Sequence, residues 1–126
     1  MTEFGSDAAR LAQGAWQDLV AELKVSCPNS ELVVGPEIPS ACLTDFIGTD
    51  VGAADVYVKA SSTQEVSLAL RAAYKRKMPV TVRGAGTNLV GSTIPRGGMV
   101  LDVSGMKRVL ELDEDNRTIL VEPGIK

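Results

Sequence analysis

Residues 55–82 read DVYVKASSTQEVSLALRAAYKRKMPVTV, and the rest of the fold is arranged around them. DVYVKA is apolar and β-branched at its centre, which predicts a short buried strand. Ser62-Thr63-Gln64-Glu65 is a capping box: the serine hydroxyl and the glutamate carboxylate each accept a backbone N–H that the first helical turn leaves without a partner. The helix is predicted to run through Met78, with Val66, Ala69, Leu70, Ala73 and Tyr74 on one apolar stripe. Pro79 stops it, because proline disfavours helix in the residue before it. VTV, residues 80–82, is the next strand. Strand, helix and strand joined this tightly form a βαβ unit, whose strands at 55–59 and 80–82 should lie parallel with a right-handed crossover.

Downstream, a glycine-studded loop (83–98) leads to a third strand, MVLDV (99–103), and Ser104-Gly105 turns the chain. RVLELD (108–113) then pairs with RTILVE (117–122) across Glu114-Asp115-Asn116. Upstream, Leu11, Ala12, Ala15, Trp16, Leu19, Val20 and Leu23 recur at helical spacing over residues 7–26, with Ser6 as cap and Cys27-Pro28 as stop. Trp16 on that stripe reads as a packing residue rather than a ligand platform. Residues 28–54 read as irregular chain with one short helical turn near Cys42 to Phe46. The division expected is 1–53, an N-terminal helix and irregular lead-in, and 54–126, a compact α+β unit. The closing EPGIK is turn chemistry that leads into another element, so the sequence is expected to be a truncated or first part of a larger protein.

Composition removes several function classes. With 44% hydrophobic and 23% charged residues, the 126-residue chain falls among ordinary globular domains. A net charge of -3 without a basic stripe gives no footprint for nucleic acid. The basic run Lys75-Arg76-Lys77 suits the last turn of a helix, where cations complement the helix dipole. No apolar run approaches the ~20 residues of a membrane span, and Asp7, Asp18 and Glu22 stand where a signal peptide would be apolar, so a cytoplasmic location is expected. There is no histidine, and Cys27 and Cys42 stand alone, which leaves no metal site, no redox dithiol and no histidine-based nucleophile. Glu111 with Asp113 and Glu114 with Asp115 read as strand alternation and a solvated turn rather than catalytic pairs.

The loop is the candidate site. Glycines 84, 86, 91, 97 and 98 let the backbone take positive φ and bring N–H groups close to a ligand, and successive N–H groups of this kind form an anion site. It leaves the C-terminal end of a strand in a parallel sheet, where open α/β sheets bind ligands. GAGTNL lacks the third glycine of a dinucleotide fingerprint, and GTNLVGST carries Ser92 where a Walker loop needs lysine. A phosphate or pyrophosphate ligand and a long connection without a ligand both remain open on these residues.

The stretch PVTVRGAGTNLVGSTIPRGGMVLDVSGMKRVLELDEDNRTILVEPG resembles the FAD-binding domain of the flavoproteins that include bacterial glycolate oxidase and D-lactate dehydrogenases, the superfamily of p-cresol methylhydroxylase and vanillyl-alcohol oxidase. The resemblance runs from about Ala54 to Lys126. It rests on STQEV at the helix start, RGxGT, the VLDVSGM segment and NRT…VEPG in the same order and spacing. It implies the first subdomain of such a domain: a small parallel sheet plus a β-hairpin, with flanking helices. It implies FAD, held non-covalently since Thr87 stands where covalent relatives carry histidine. The backbone N–H groups of Gly84, Ala85, Gly86, Thr87, Asn88 and Leu89 would hold the pyrophosphate, with Gly91 in the same loop, hydroxyl help from Thr87 and Ser92, and Pro123 and Gly124 beside the cofactor. Arg83 is either a cation near the phosphates or a side chain that holds the loop shape. Asn88 replaces a glycine usual in relatives, and asparagine tolerates left-handed backbone.

The same resemblance implies oxidation of a 2-hydroxy acid of the glycolate or D-lactate type, with substrate contacts and the catalytic base in a C-terminal domain outside these residues. No catalytic residue is assigned here, and the 126 residues alone should be inactive. A membrane-associated or iron-sulfur electron acceptor is the implied partner, and an apolar face left at the chain's end would suit homo-oligomer formation. A module that binds another phosphorylated ligand, or serves assembly only, is the alternative.

Overall fold

The computed structural model describes residues 12–126; Ser6 and Leu11, and the side chains of Ala12 and Ala15, lie outside the described residues. Helix α1 (Ala12–Ser26) is followed by strand β1 (Glu31–Val34), two 3-10 turns at Gly35–Glu37 and Ser40–Cys42, and strand β2 (Val56–Lys59). Helix α2 (Thr63–Lys75) leads to β3 (Val80–Arg83), β4 (Met99–Asp102) and a hairpin of β5 (Val109–Asp113) and β6 (Thr118–Val121). This is an α+β fold with a four-stranded mixed sheet in the order β1-β2-β4-β3 and a separate two-stranded sheet.

The strands of the βαβ unit are parallel, as their connection requires, but not adjacent. β4 lies between β2 and β3 and pairs parallel with both. Every residue of β4 is buried, and a strand apolar on both faces finds cover only at the centre of a sheet. Alternation then sorts the side chains. Val56, Val58, Met99 and Leu101 face the helices and close a core with Leu19, Leu23, Ala69, Ala72 and Ala73. Trp16 packs against this core, as its place on the α1 stripe predicts. Tyr57 and Val100 face the other way and are covered by Ile38, Cys42, Leu43 and Ala54.

Three expectations are corrected here. Residues 31–34 are not irregular but form β1, antiparallel to β2, and the helical turn falls at Ser40–Cys42 rather than Cys42–Phe46. Four residues with no alternating flank carry little strand signal, and pairing with β2 supplies what local pattern does not. On α2, the buried stripe is Ala69, Ala72 and Ala73, whereas Leu70 is 41% and Tyr74 84% exposed. Alanines let α2 lie close to β4 and α1, and this turns the larger side chains outward.

The ends of α2 follow backbone chemistry. The Glu65 N–H donates to Ser62 Oγ at 3.2 Å, while the Glu65 carboxylate reaches one residue further back and accepts from the Ser61 N–H at 2.6 Å. The helix ends at Lys75, before Met78, in a Schellman arrangement: Met78 N–H donates to Ala73 O, Lys77 N–H to Tyr74 O, and Lys77 takes a left-handed φ of 50°. The basic run also ties the helices together, with Arg76 pairing Asp18 at 2.6 Å and Glu22 at 2.8 Å.

The hairpin pairs as expected, with a bulge between Val109 and Glu111. Val109, Leu110, Leu112, Ile119 and Leu120 are each more than half exposed on it.

Candidate functional site

The loop from Arg83 to Gly98 leaves β3 at the C-terminal end of the parallel strands and returns into β4. Two segments flank it. The stretch around residues 41–46 lies along one side: Thr93 Oγ1 donates to Thr44 O at 3.1 Å and the Phe46 N–H donates to Asn88 O at 3.2 Å. The chain's last turn lies on the other, where a Cβ built on Gly84 would stand 3.6 Å from the Pro123 carbonyl oxygen. Residues 38–54 therefore form a wall of the site. Sequence reasoning missed them because the wall is made by main-chain groups, which carry no residue signature.

The N–H groups expected to act as donors belong to a stretch without helix or strand. From Gly84 to Gly91 no main-chain N–H donates to any described residue, whereas the loop on either side is tied down by Val103 N–H to Arg83 O and Ile94 N–H to Gly91 O. A buried run of such groups would be costly, but here each residue is half-buried or exposed, so a solvent or ligand acceptor can reach them. Gly86 and Gly91 have φ of 70° and 73°, the left-handed region in which successive N–H groups converge on one point. Ala85, Thr87, Leu89 and Ser92 are exposed, and the Thr87 and Ser92 hydroxyls bond no described residue. An oxyanion suits this donor set better than a neutral or cationic group.

Asn88 departs from expectation. Its backbone is not left-handed, so tolerance of that region does not explain the residue. Its side chain braces the loop from inside: Oδ1 accepts the Ser92 N–H at 3.1 Å and Nδ2 donates to Thr93 Oγ1 at 2.7 Å. Gly124 is required by packing. It is buried, donates to Met106 O at 2.8 Å, and any Cβ there would overlap the Val103 and Met106 carbonyls.

Arg83 lies beneath the loop. Only 9% of it is exposed; Nη1 donates to Ala41 O at 2.9 Å, and Nε is buried without a partner. A Cβ on Gly86 would overlap Nη2 and lie 3.2 Å from Cζ, so the glycine rests directly on the guanidinium. Asp102 is its neighbour in the β3–β4 ladder but is otherwise engaged. Asp102 Oδ2 accepts the Tyr57 hydroxyl at 2.8 Å and Oδ1 the Ser104 N–H at 2.7 Å. Burial, then the hydrogen bond to Asp102, raises the Tyr57 phenol far above its ordinary 10.0. At the site's other edge, Glu122 is only 5% exposed and accepts from the Arg108 N–H, Nε and Nη2 at 2.7–2.9 Å. Those bonds hold its carboxyl below the ordinary 4.5. This pair fixes the turn that delivers Pro123 to Gly84.

Among the described residues no group of three or more histidine, cysteine or carboxylate side chains could hold a metal, and no helix is long and apolar enough to cross a membrane.

Comparison with known proteins converges on one family of domains. The profile of the FAD binding domain family matches residues 54–126. Glycolate oxidase subunit GlcD of Bacillus subtilis is 40% identical over 72 residues, which cover 56% of this chain and 15% of that protein. The mitochondrial D-lactate dehydrogenase [cytochrome] of Arabidopsis thaliana is 40% identical over 72 residues, covering 56% of this chain and 13% of its own length. In fold, p-cresol methylhydroxylase with substrate bound superposes with a TM-score of 0.70 at 20% identity, over 90% of this chain and 23% of that one. The chain thus spans a minor part of the length of the proteins it matches.

Proposed function

From its membership of the FAD binding domain family, to which this chain belongs, we infer that residues 84–91 cradle the diphosphate of FAD within an oxidoreductase acting on a 2-hydroxy acid. The observation that supports this most directly is the run of main-chain N–H groups from Gly84 to Gly91 without a protein acceptor, set over a buried arginine. The names of the relatives, a glycolate oxidase subunit and D-lactate dehydrogenases, support the substrate class.

Bound FAD supplies the acceptor for a hydride leaving the α-carbon of the hydroxy acid. The chain's own part is to bind and orient. The N–H groups of Gly84 to Leu89 neutralise phosphate oxygens, Asn88 and Thr93 keep those groups convergent, and Pro123 closes the side nearest Gly84. Thr87 and Ser92 add hydroxyl donors. Threonine rather than histidine at position 87 supports a non-covalently held cofactor. In this reading the 126 residues supply no substrate base, the electron acceptor is a membrane-associated or iron-sulfur partner, and the chain alone does not turn over.

Titration of the chain with FAD, followed by flavin fluorescence, tests the cradle. Saturable binding that Gly86→Val abolishes and Val25→Ala leaves intact is expected; equal affinity in both variants would refute the assignment of the loop. For the substrate class, anaerobic addition of glycolate or D-lactate to the whole flavoprotein should bleach the flavin band. Bleaching by neither would remove the 2-hydroxy acid reading and leave the FAD cradle standing.

A further inference from the structure

We propose that Arg83 is a positioning residue whose buried charge is neutralised by the cofactor diphosphate rather than by any carboxylate of the protein. The proposal rests on the reading of residues 84–91 as the cradle and adds to it the source of its charge. A guanidinium that is nine-tenths buried needs a counter-charge or a full set of acceptors, since an uncompensated ion inside a protein is strongly destabilising. Arg83 has neither. Its one hydrogen bond goes to the Ala41 carbonyl, Nε has no acceptor, and no ion pair reaches it from any described residue.

The carboxylates on the surrounding segments are committed elsewhere. Asp102 is held by Tyr57 and Ser104, and Glu122 by Arg108. Asp45 caps the Ile47 and Gly48 N–H groups, and Asp50 pairs with Arg96. The cation is therefore left beneath Gly86, with the free N–H groups of the loop next to it. Charge and donors together suit a dianion, and Gly86 is the residue thin enough to let one approach the guanidinium. The Ala41 bond at the same time anchors the loop to its wall. Arg83 thus combines the two roles its sequence position allows: it shapes the loop and presents charge to the phosphates.

The test uses the whole chain with Arg83→Gln, which removes the charge and, being two atoms shorter, also gives up the Ala41 bond, and Arg83→Lys, which keeps the charge on a different head group. FAD and inorganic pyrophosphate are titrated by calorimetry at low and high sodium chloride, and the ligand-free melting temperature is recorded for each variant. Arg83→Gln should weaken both ligands about 10- to 100-fold, the loss expected for one charge-assisted contact. It should also flatten the salt dependence, because the screened interaction is gone. Arg83→Lys should stay within about threefold of wild type and keep its salt dependence. Arg83→Gln binding with wild-type affinity and salt dependence would overturn the proposal and leave the cradle standing. Should the glutamine variant fail to fold, Arg83→Lys decides: a folded lysine variant that binds 10-fold weaker or worse overturns the electrostatic role. Wild type binding neither ligand would overturn the cradle, and this proposal with it.

Discussion

Replacing Gly86 by alanine should cost far more than the same change at Gly97, although both glycines have left-handed backbones. At Gly86, φ is 70°, and a Cβ in that region costs about 1–2 kcal/mol. The same Cβ overlaps the Arg83 guanidinium, which can yield only by leaving the Ala41 carbonyl, now 2.9 Å away. Losing a hydrogen bond from a charged donor in a buried setting costs about 1.5–3 kcal/mol. The sum at Gly86 is therefore about 2.5–5 kcal/mol. At Gly97, φ is 96° and nothing lies within 4 Å of the added carbon, so only the first cost of about 1–2 kcal/mol applies. The reduced entropy of the unfolded chain offsets both variants equally and cancels in the comparison. Urea unfolding followed by circular dichroism, with matched m values, measures the difference, expected at about 1.5–3 kcal/mol. Two variants equal within ~0.5 kcal/mol would show that Arg83 is free to move and that the loop does not rest on it.

Lys77→Gly should stabilise the chain by about 0.5–1 kcal/mol in the same assay, because Lys77 occupies the left-handed position of a Schellman cap that glycine fills without strain. Tyr57→Phe should destabilise by about 1.5–3 kcal/mol by leaving a buried Asp102 oxygen without its donor, and a loss below ~0.5 kcal/mol would mean that water replaces the hydroxyl. Since folding raises the Tyr57 phenol above 10.0, the neutral form is the one the fold favours; stability should be intact below about pH 10 and fall above it, a loss that Tyr57→Phe removes. Glu122 has the opposite sign. Its carboxyl is depressed by Arg108, so its contribution is present above 4.5 and disappears as pH falls through its folded value. The stability gap between wild type and Glu122→Gln should shrink as pH falls below 4.5, and a gap constant with pH would contradict the pairing.

What could be read along the chain was local. Ser62 and Glu65 announce the start of α2 because both partners of the capping box lie within one turn. The parallel relation of β2 and β3 follows from the length of chain between them. The hairpin was legible from two apolar runs around Glu114-Asp115-Asn116. The glycines of the loop marked where backbone N–H groups could be left free, and residues 84–91 do leave them free. Each of these features is governed by residues within a few positions of one another.

What could not be read depends on contacts between distant residues. β1 is a strand because Val33 and Val34 meet Tyr57 and Val56, more than twenty positions away. The buried stripe of α2 shifts from Leu70 and Tyr74 to three alanines because α1 and β4 come too close for larger side chains. Asn88 offered no hint that its amide would brace Ser92 and Thr93, and Arg83 could equally have pointed to solvent. The amino-acid sequence by itself determined the βαβ unit, the hairpin and a glycine-rich loop with free backbone N–H groups, since those rest on backbone geometry and short-range hydrogen bonding. Only the tertiary structure decided that Arg83 lies under that loop without a counter-ion. The direction of a long side chain depends on which carbonyl the folded chain brings within reach, and Ala41, 42 positions earlier, carries no signal of its own.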